Sequence, residues 1–381
     1  MRFLCTQENL NYGLTIVGHI ANKNTNLPIL NNVLLKTQEG GVRLITTNLE
    51  IGVSCLIRGK VEEEGEFTLP ARVLSEYVSL LPKEKVSVAV TDGQATINAG
   101  SHETKIKGEP AGDFPVIPTV ERTKPIIVSP AEFQQAIGQV IFAASLSESR
   151  PEISGVLLWS EPEAKKVTLV ATDSYRLAER AVACQSDGVA ARVIIPARTL
   201  QEVQRILGNA LRGGSEAGDK LEIYLTANQV LFVYRDVELV SRVIDGQYPE
   251  YQQIIPTAHT TQIIVGVEDL VKATKSASLF VKSGINDVSL EIRPAGELVI
   301  SSMNSQVGES VQTVPANISG DKTTLVLNYR YLLDGLGAAG SSEVVVEATD
   351  NNAPAVIRPV LSSADDGVDR NYLYLIMPIK Q

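Results

Sequence analysis

The sequence predicts an α+β protein of three tandem, similar domains, on three observations. A polar turn motif recurs. Residues 169–178 read as a strand that ends in Thr172-Asp173-Ser174-Tyr175-Arg176 and re-enters apolar sequence. Residues 44–51 and 299–307 echo it, with Thr47, Thr172 and Ser302 standing 125 and 130 residues apart. A strand-to-helix junction recurs as well. Leu69-Pro70-Ala71-Arg72 matches Ile195-Pro196-Ala197-Arg198, and Leu327-Asn328-Tyr329-Arg330 is the third copy, at offsets of 126 and 132 residues. Around these marks one order repeats: helix, sheet, helix, hairpin. A chain of 381 residues exceeds one ordinary core, and a unit of ~125 residues fits three times. Aromatic content is only 5%, so the cores rest on Val, Ile and Leu, which favours strands. Helices packed on antiparallel sheets are the α+β solution to that pattern.

In the first domain (1–120), a strand at Phe3-Leu4 precedes a helix over 7–20 with Leu10, Leu14, Val17 and Ile20 on one side. A polar loop at 23–28 leads to strands at 33–37, 42–47, 53–59 and 66–69. The second helix, 71–81, lies between Pro70 and Pro82. A hairpin at 86–90 and 95–99 turns on Asp92-Gly93. The second domain (121–256) repeats this with a strand at 126–128, a helix at 130–144 and strands at 153–159, 167–172, 176–184 and 193–195. Its second helix spans 197–212 and its hairpin 221–226 and 230–234. The third domain (257–381) has a strand at 263–265, a helix at 267–281 and strands at 288–293, 298–302, 309–315 and 324–327. A helix at 328–339 and a hairpin at 344–347 and 355–360 follow. The apolar tail from Tyr372 is expected to complete the last strand with alternate residues and to dock the others elsewhere.

Composition excludes several classes. The net charge of −10 does not suit a protein that grips phosphates tightly. Cys5, Cys55 and Cys184 are few, odd in number and distant, which suits a reducing cytoplasm. The N-terminus has no apolar core of a signal peptide, and no apolar run approaches the ~18 residues of a membrane helix. No phosphate-cradling GxxxxGK[ST] and no GxSxG elbow occurs, and His19, His102 and His259 lack metal-ligand spacing. No cofactor, metal or catalytic residue is expected. Asp173 reads as the cap of its turn rather than as a catalytic acid, since no His stands nearby as base.

The charge is unevenly placed. The six helical windows carry seven bases and seven acids, so the whole deficit of ten lies outside them. Arg198, Arg205 and Arg212 are seven apart and share one helix face, opposite Leu200, Val203, Leu207 and Leu211. Lys272, Lys275 and Lys282 group in the same way. Any surface helix can look like this. The sharper reading is a weakly basic wall on an acidic body, suited to a polyanion held loosely.

Two stretches together, Ala171-Thr172-Asp173-Ser174-Tyr175-Arg176-Leu177-Ala178 and Tyr374-Leu375-Ile376-Met377-Pro378-Ile379-Lys380, carry a family resemblance. Leu27-Pro28-Ile29-Leu30, the Pro-Ala-Arg junctions and the triplication add to it. Over essentially its whole length the chain resembles the bacterial DNA polymerase III beta subunit family. The resemblance implies three clamp domains per chain and a head-to-tail homodimeric ring that encircles double-stranded DNA without reading sequence. Twelve helices ~9–10 Å apart would line a circle roughly 36 Å across, leaving about 26 Å clear. It implies partner peptides from the polymerase III catalytic subunit, the clamp loader, other polymerases and repair proteins. Their cleft would hold Ile153, Thr172, Ser174, Tyr175, Arg176 and Leu177. Pro249, Ile254, Asn328, Tyr331 and Pro354 join them, as do Met377, Pro378 and Ile379. DNA-facing residues by the same likeness are Lys23, Asn24, Arg72, Arg150, Arg198, Arg205, Arg212, Lys272 and Lys275. The dimer contact would join the edge strand carrying Thr104 and Ile106 to Leu279 and Phe280 of the other protomer. Tyr175 stands where the family often has His, Gln253 where it often has Arg, and the chain ends Lys380-Gln381 rather than in a basic-apolar pair. Two other classes fit less of this pattern: a three-domain scaffold without nucleic acid, and an enzyme using Asp173 and Arg176.

Overall fold

The computed structural model describes every residue except 22–26, 148, 187, 213, 215–217, 283, 294, 362–366 and 381. Its first third runs β1 (Arg2–Thr6), α1 (Gln7–Val17), β2 (Asn32–Gln38), β3 (Gly41–Thr47), β4 (Ile51–Arg58), β5 (Lys60–Glu63) and β6 (Glu66–Pro70). It continues through α2 (Ala71–Leu80), β7 (Lys85–Thr91), β8 (Gln94–Ala99), β9 (His102–Lys107) and β10 (Glu109–Pro110). The second holds β11 (Ile126–Val128), α3 (Pro130–Val140), β12 (Gly155–Glu161), β13 (Lys166–Thr172), β14 (Arg176–Ser186) and β15 (Ala191–Pro196). α4 (Ala197–Arg212), β16 (Leu221–Leu225), β17 (Gln229–Tyr234) and β18 (Val237–Arg242) complete it. The last holds β19 (Thr261–Gly266), α5 (Val267–Ser278), β20 (Asp287–Arg293), β21 (Glu297–Asn304), β22 (Gly308–Gly320) and β23 (Thr323–Asn328). α6 (Tyr329–Ala339), β24 (Glu343–Ala348), β25 (Ala355–Pro359) and β26 (Tyr372–Ile376) end the chain.

The expected order thus recurs in each third, with local corrections. The first helix of each third is shorter than its apolar periodicity suggests. α1 ends where the Gly18 N–H donates to Leu14 O at 2.8 Å, yet Ile20 beyond it is still buried. α3 gives way to a 3-10 turn at Ile141–Ala143, whose Ala143 is also buried. Apolar spacing follows the core, and the core does not end with the helix. Ile153 belongs to a 3-10 turn, Pro151–Ile153, rather than to a strand. The strands β5, β10 and β18 were not anticipated. The tail also differs: all five residues of β26 are buried, with no alternation. β26 is a central strand, paired with β14 on one side and β25 on the other, and both its faces are covered.

Caps set the helix starts. Thr6 Oγ1 accepts from Asn9 N, and Asn328 Oδ1 accepts from Arg330 N at 3.0 Å. α6 closes on Gly340 in the left-handed region, φ 69°. α4 buries Leu200, Val203, Ile206, Leu207 and Ala210, one apolar stripe.

The chain divides into two compact units. One comprises Met1–Ala131, Gln185–Val189 and Glu202–Val243; the other comprises Glu132–Cys184, Ala190–Gln201 and Ile244–Gln381. The first unit holds the sheet β5-β1-β7-β8-β9. It also holds a longer antiparallel sheet in which β11, β16, β17 and β18 continue through β18·β4 into β3, β2 and β6. In the second unit β19, β24, β25 and β26 continue through β26·β14 into β13, β12 and β15. A four-stranded sheet, β22-β21-β20-β23, completes it.

Candidate functional site

The site builds from the turn between β13 and β14. Thr172 Oγ1 donates to Arg176 O at 2.7 Å and accepts the Ser174 N–H at 3.1 Å. Asp173 Oδ1 accepts the N–H groups of Tyr175 and Arg176 at 2.9 and 3.0 Å. These local bonds satisfy a turn that puts Ser174 at φ 79°. They leave the Tyr175 ring 64% exposed.

Arg176 is held on every side. Its guanidinium donates to Asp173 Oδ2 at 3.0 Å, to Asp334 Oδ2 at 2.5 Å and to Phe142 O at 2.7 Å. It lies 4.4 Å from the Tyr331 ring centroid and 5.4 Å from that of Phe142. Such a group positions α6 against the turn and offers little free charge to a ligand. Asn328 caps α6 one residue before its first turn and so sets the place of Tyr331. The α6 face needs Gly335: a Cβ there would lie 2.1 Å from the Tyr374 ring. The Tyr374 hydroxyl donates to Tyr331 O at 2.8 Å, and burial raises its pKa above the usual phenol value.

On the other face of β14 and β26 lies an apolar floor. Ile153, Leu157, Val170, Leu177, Tyr248, Tyr251, Val356, Leu373 and Leu375 form one buried cluster, with Met377 and Ile255 packed against it. The Tyr248 hydroxyl donates to Val170 O at 3.2 Å, and burial pushes its pKa up. Two main-chain bonds fix the tail beyond β26: Met377 N to Tyr175 O at 2.9 Å and Ile379 N to Val326 O at 2.8 Å. Pro354 stands one residue before β25, whose Ala355 pairs with Ile376. Pro249 and the 46%-exposed Ile254 flank Tyr251 in a 3-10 turn. The cleft residues named from the sequence therefore gather around the β13–β14 turn and β26. Phe142, Asp334 and Tyr374 hold this arrangement and were missed, because their partners are distant in sequence.

The other named residues fall as follows. Arg150 Nη1 donates to Ser174 Oγ at 2.8 Å, beside the turn, and pairs with Glu152. Arg72 is exposed on α2 and paired with Glu76, and Lys272 is exposed on α5 and paired with Glu268. Lys275 is exposed on α5, and Arg198 and Arg212 are exposed on α4. Arg205 differs: it binds the buried Glu202 and donates to Thr15 O and Ile16 O at the end of α1. His19 Nδ1 joins the same carboxylate at 2.7 Å. Lys23 and Asn24 lie outside the described residues. Thr104 is half-buried and Ile106 buried on β9, while Leu279 is 74% exposed and Phe280 half-buried after α5. Among the described residues no three His, Cys, Asp or Glu side chains cluster as a metal site, and no helix is long and apolar enough to cross a membrane.

Comparison with known proteins adds the following. Three family models match in succession: DNA polymerase III beta subunit N-terminal domain over residues 1–118, central domain over 127–250 and C-terminal domain over 252–380. The beta sliding clamp of Synechococcus elongatus is 31% identical, covering 100% of this chain and 99% of that protein. The beta sliding clamp of Bacillus subtilis is 29% identical over 100% of both. Among solved structures, the DNA polymerase III beta subunit of Thermotoga maritima superimposes with a TM-score of 0.89 at 25% identity, covering 100% and 99%. The DNA polymerase sliding clamp of Bacillus subtilis gives 0.89 at 28% identity, again over 100% and 99%.

Proposed function

The chain belongs to the DNA polymerase III beta subunit family, the sliding clamps, and from that premise we propose that two copies close around double-stranded DNA and tether the replicative polymerase to it. The observation that carries this reading is one rule of sheet joining, used twice. In one unit β18, the last strand of the second third, pairs with β4. In the other, β26, the last strand of the final third, pairs with β14, which holds the place of β4 in its own third. At the ends of the other two sheets opposite β5 and β23 stand two further edges: β9, and residues 308–315 of β22. Among the described residues each has a ladder partner on one side only. Joining β9 of one protomer to β22 of its partner, twice, would carry the same sheet joining across both contacts. Thr104 and Ile106 lie on the first edge. Phe280, beside Gly308, borders the second with the exposed Met303, Val307 and Val311, and the exposed Leu279 precedes it in the chain.

The domains on this reading are 1–120, 121–256 and 257–381. The role is non-catalytic and cytoplasmic: DNA is held by enclosure, so neither base readout nor chemistry is required. Arg72, Arg198, Arg212, Lys272 and Lys275 would meet phosphates through water, and Lys23, Asn24 and Arg150 would join them. Arg205 would act through its hold on α1. The patch around Leu177 and Met377 would take short peptide motifs of the polymerase III catalytic subunit, the clamp loader and other polymerases and repair proteins. The apolar floor supports that reading, and the thioether of Met377 adapts to varied ligands.

The test has two arms. In solution the protein should size at twice 41.1 kDa, and on nicked circular DNA, loaded by a clamp loader, it should stay bound until the circle is cut. Equal retention on linear DNA with open ends would overturn the enclosure. Removing residues 377–381 should abolish binding of a polymerase peptide and leave the dimer; unchanged affinity would overturn the peptide site.

A further inference from the structure

The first unit contains a second copy of the architecture that forms the peptide patch. The turn between β3 and β4 repeats the β13–β14 turn bond for bond. Thr47 Oγ1 donates to Ile51 O at 3.0 Å and accepts Leu49 N at 3.0 Å. Asn48 Oδ1 accepts Glu50 N and Ile51 N at 3.0 and 2.8 Å, and Leu49 sits at φ 76° where Ser174 has 79°. Strand register extends the match. Thr47 pairs with Gly52 and Gly52 with Val240, as Thr172 pairs with Leu177 and Leu177 with Leu375. Arg242 stands two residues beyond Val240, as Met377 stands two beyond Leu375. In the following linker Pro115 and Val120 are five apart, as Pro249 and Ile254 are.

These counterparts line space. Gly52 and Val240, with Ile117 and Pro118, border two cavities of about 380 and about 270 Å³. Val120 lines the first, and Thr47, Pro115 and Arg242 line the second. Glycine in place of leucine is what opens the floor, and Ile117 leans over it: a Cβ on Gly52 would lie 2.7 Å from Ile117 Cδ1. The rim has also changed sign. Arg43 and Arg122 share the single carboxylate of Glu238 at 3.1 and 2.7 Å. Arg242 is exposed where the other site has a thioether, and Glu50 is the remaining acid among the residues bordering these two cavities. Three guanidiniums face two carboxylates.

We propose that this groove docks an extended segment of a partner protein in which an apolar side chain is flanked by carboxylates. The apolar group would displace Ile117 from Gly52, and a carboxylate would meet Arg242. The inference rests on the peptide reading of the Leu177–Met377 patch, of which this groove is the cationic counterpart.

The test uses the full-length protein and a fluorescein-labelled peptide, Asp-Leu-Asp-Leu-Phe, with benzoylphenylalanine in place of Phe for photo-crosslinking. Mapping should give two clusters, one at residues 117–120 and 242, the other at Tyr175 and Met377. Arg242→Glu should lower yield and affinity at the first cluster by about tenfold and leave the second unchanged; Met377→Glu should do the reverse. Crosslinks confined to the Met377 patch, or a first cluster indifferent to Arg242→Glu, would overturn the groove. Displacement of the first cluster by duplex DNA but not by unlabelled peptide would overturn the peptide occupant. Failure of the parent reading shows separately, as absence of the second cluster.

Discussion

The β3–β4 and β13–β14 turns share one backbone and one set of hydrogen bonds, yet they are stabilised differently. Around Thr172 the residue after the turn is Arg176, locked to Asp173, Asp334, Phe142 and Tyr331. Around Thr47 the same place holds Ile51, buried without charge. One turn is pinned by a polar network and the other by packing. A turn whose bonds lie within five residues keeps its shape while its side chains change, so duplication could conserve the frame and vary what each junction presents.

The largest test of that contrast is Arg176→Ala. It strips the partner from a mostly buried Asp173 and the donor from Phe142 O. Because Asp334 is half exposed, the expected loss is about 3 kcal/mol in urea unfolding. A loss under ~1 kcal/mol would mean that packing, not charge, holds both turns. Next comes a pair of glycines. Gly335→Ala drives a Cβ into the Tyr374 ring, which cannot move from beneath α6, and should cost about 2 kcal/mol. Gly52→Ala meets the half-buried Ile117 side chain, whose Cδ1, Cγ2 and Cγ1 would lie at 2.7, 3.0 and 3.1 Å, and should cost less, about 1 kcal/mol. Equal costs would show that the first groove is as tightly filled as the second.

The turn acceptors sharpen the comparison further. Asp173→Ala removes a carboxylate that also binds Arg176 and should cost about 2 kcal/mol, whereas Asn48→Ala, a neutral acceptor, should cost about 1. Their order reversed would remove the charge-against-packing distinction. The smallest effect concerns an exposed ladder away from both turns. Hydrogen bonds from Arg293 and Lys322 hold the Glu291 carboxyl down to about 2 from the usual 4.5. A depressed acid contributes stability above its unfolded value and loses it as pH falls through the folded one. The Glu291 contribution should therefore fade between pH 4.5 and about 2, and Glu291→Gln should flatten that part of the acid-unfolding profile, less visibly at high salt.

Legibility followed the range of the interaction. The Thr172 turn could be read directly because Asp173 binds N–H groups two and three residues on. The helix over 197–212 was placed at its true ends, since its apolar stripe and the preceding Pro196 are local signals. Arg205 on the same helix was assigned to the cationic face, but its bonds run to Glu202 and to carbonyls about 190 residues away. β18 was overlooked because a six-residue strand gains its meaning only from its partner β4.

By itself the sequence determined the triplicated order of elements, the strand-rich cores and the capped turns, all products of propensity and hydrogen bonds within a few residues. Only the tertiary structure decided that the tail becomes a central strand buried on both faces, that Arg176 is a fastener rather than a free charge, and that Gly52 opens a groove. Each of these depends on groups far apart in the chain, brought together by strand register and close packing that no local pattern encodes.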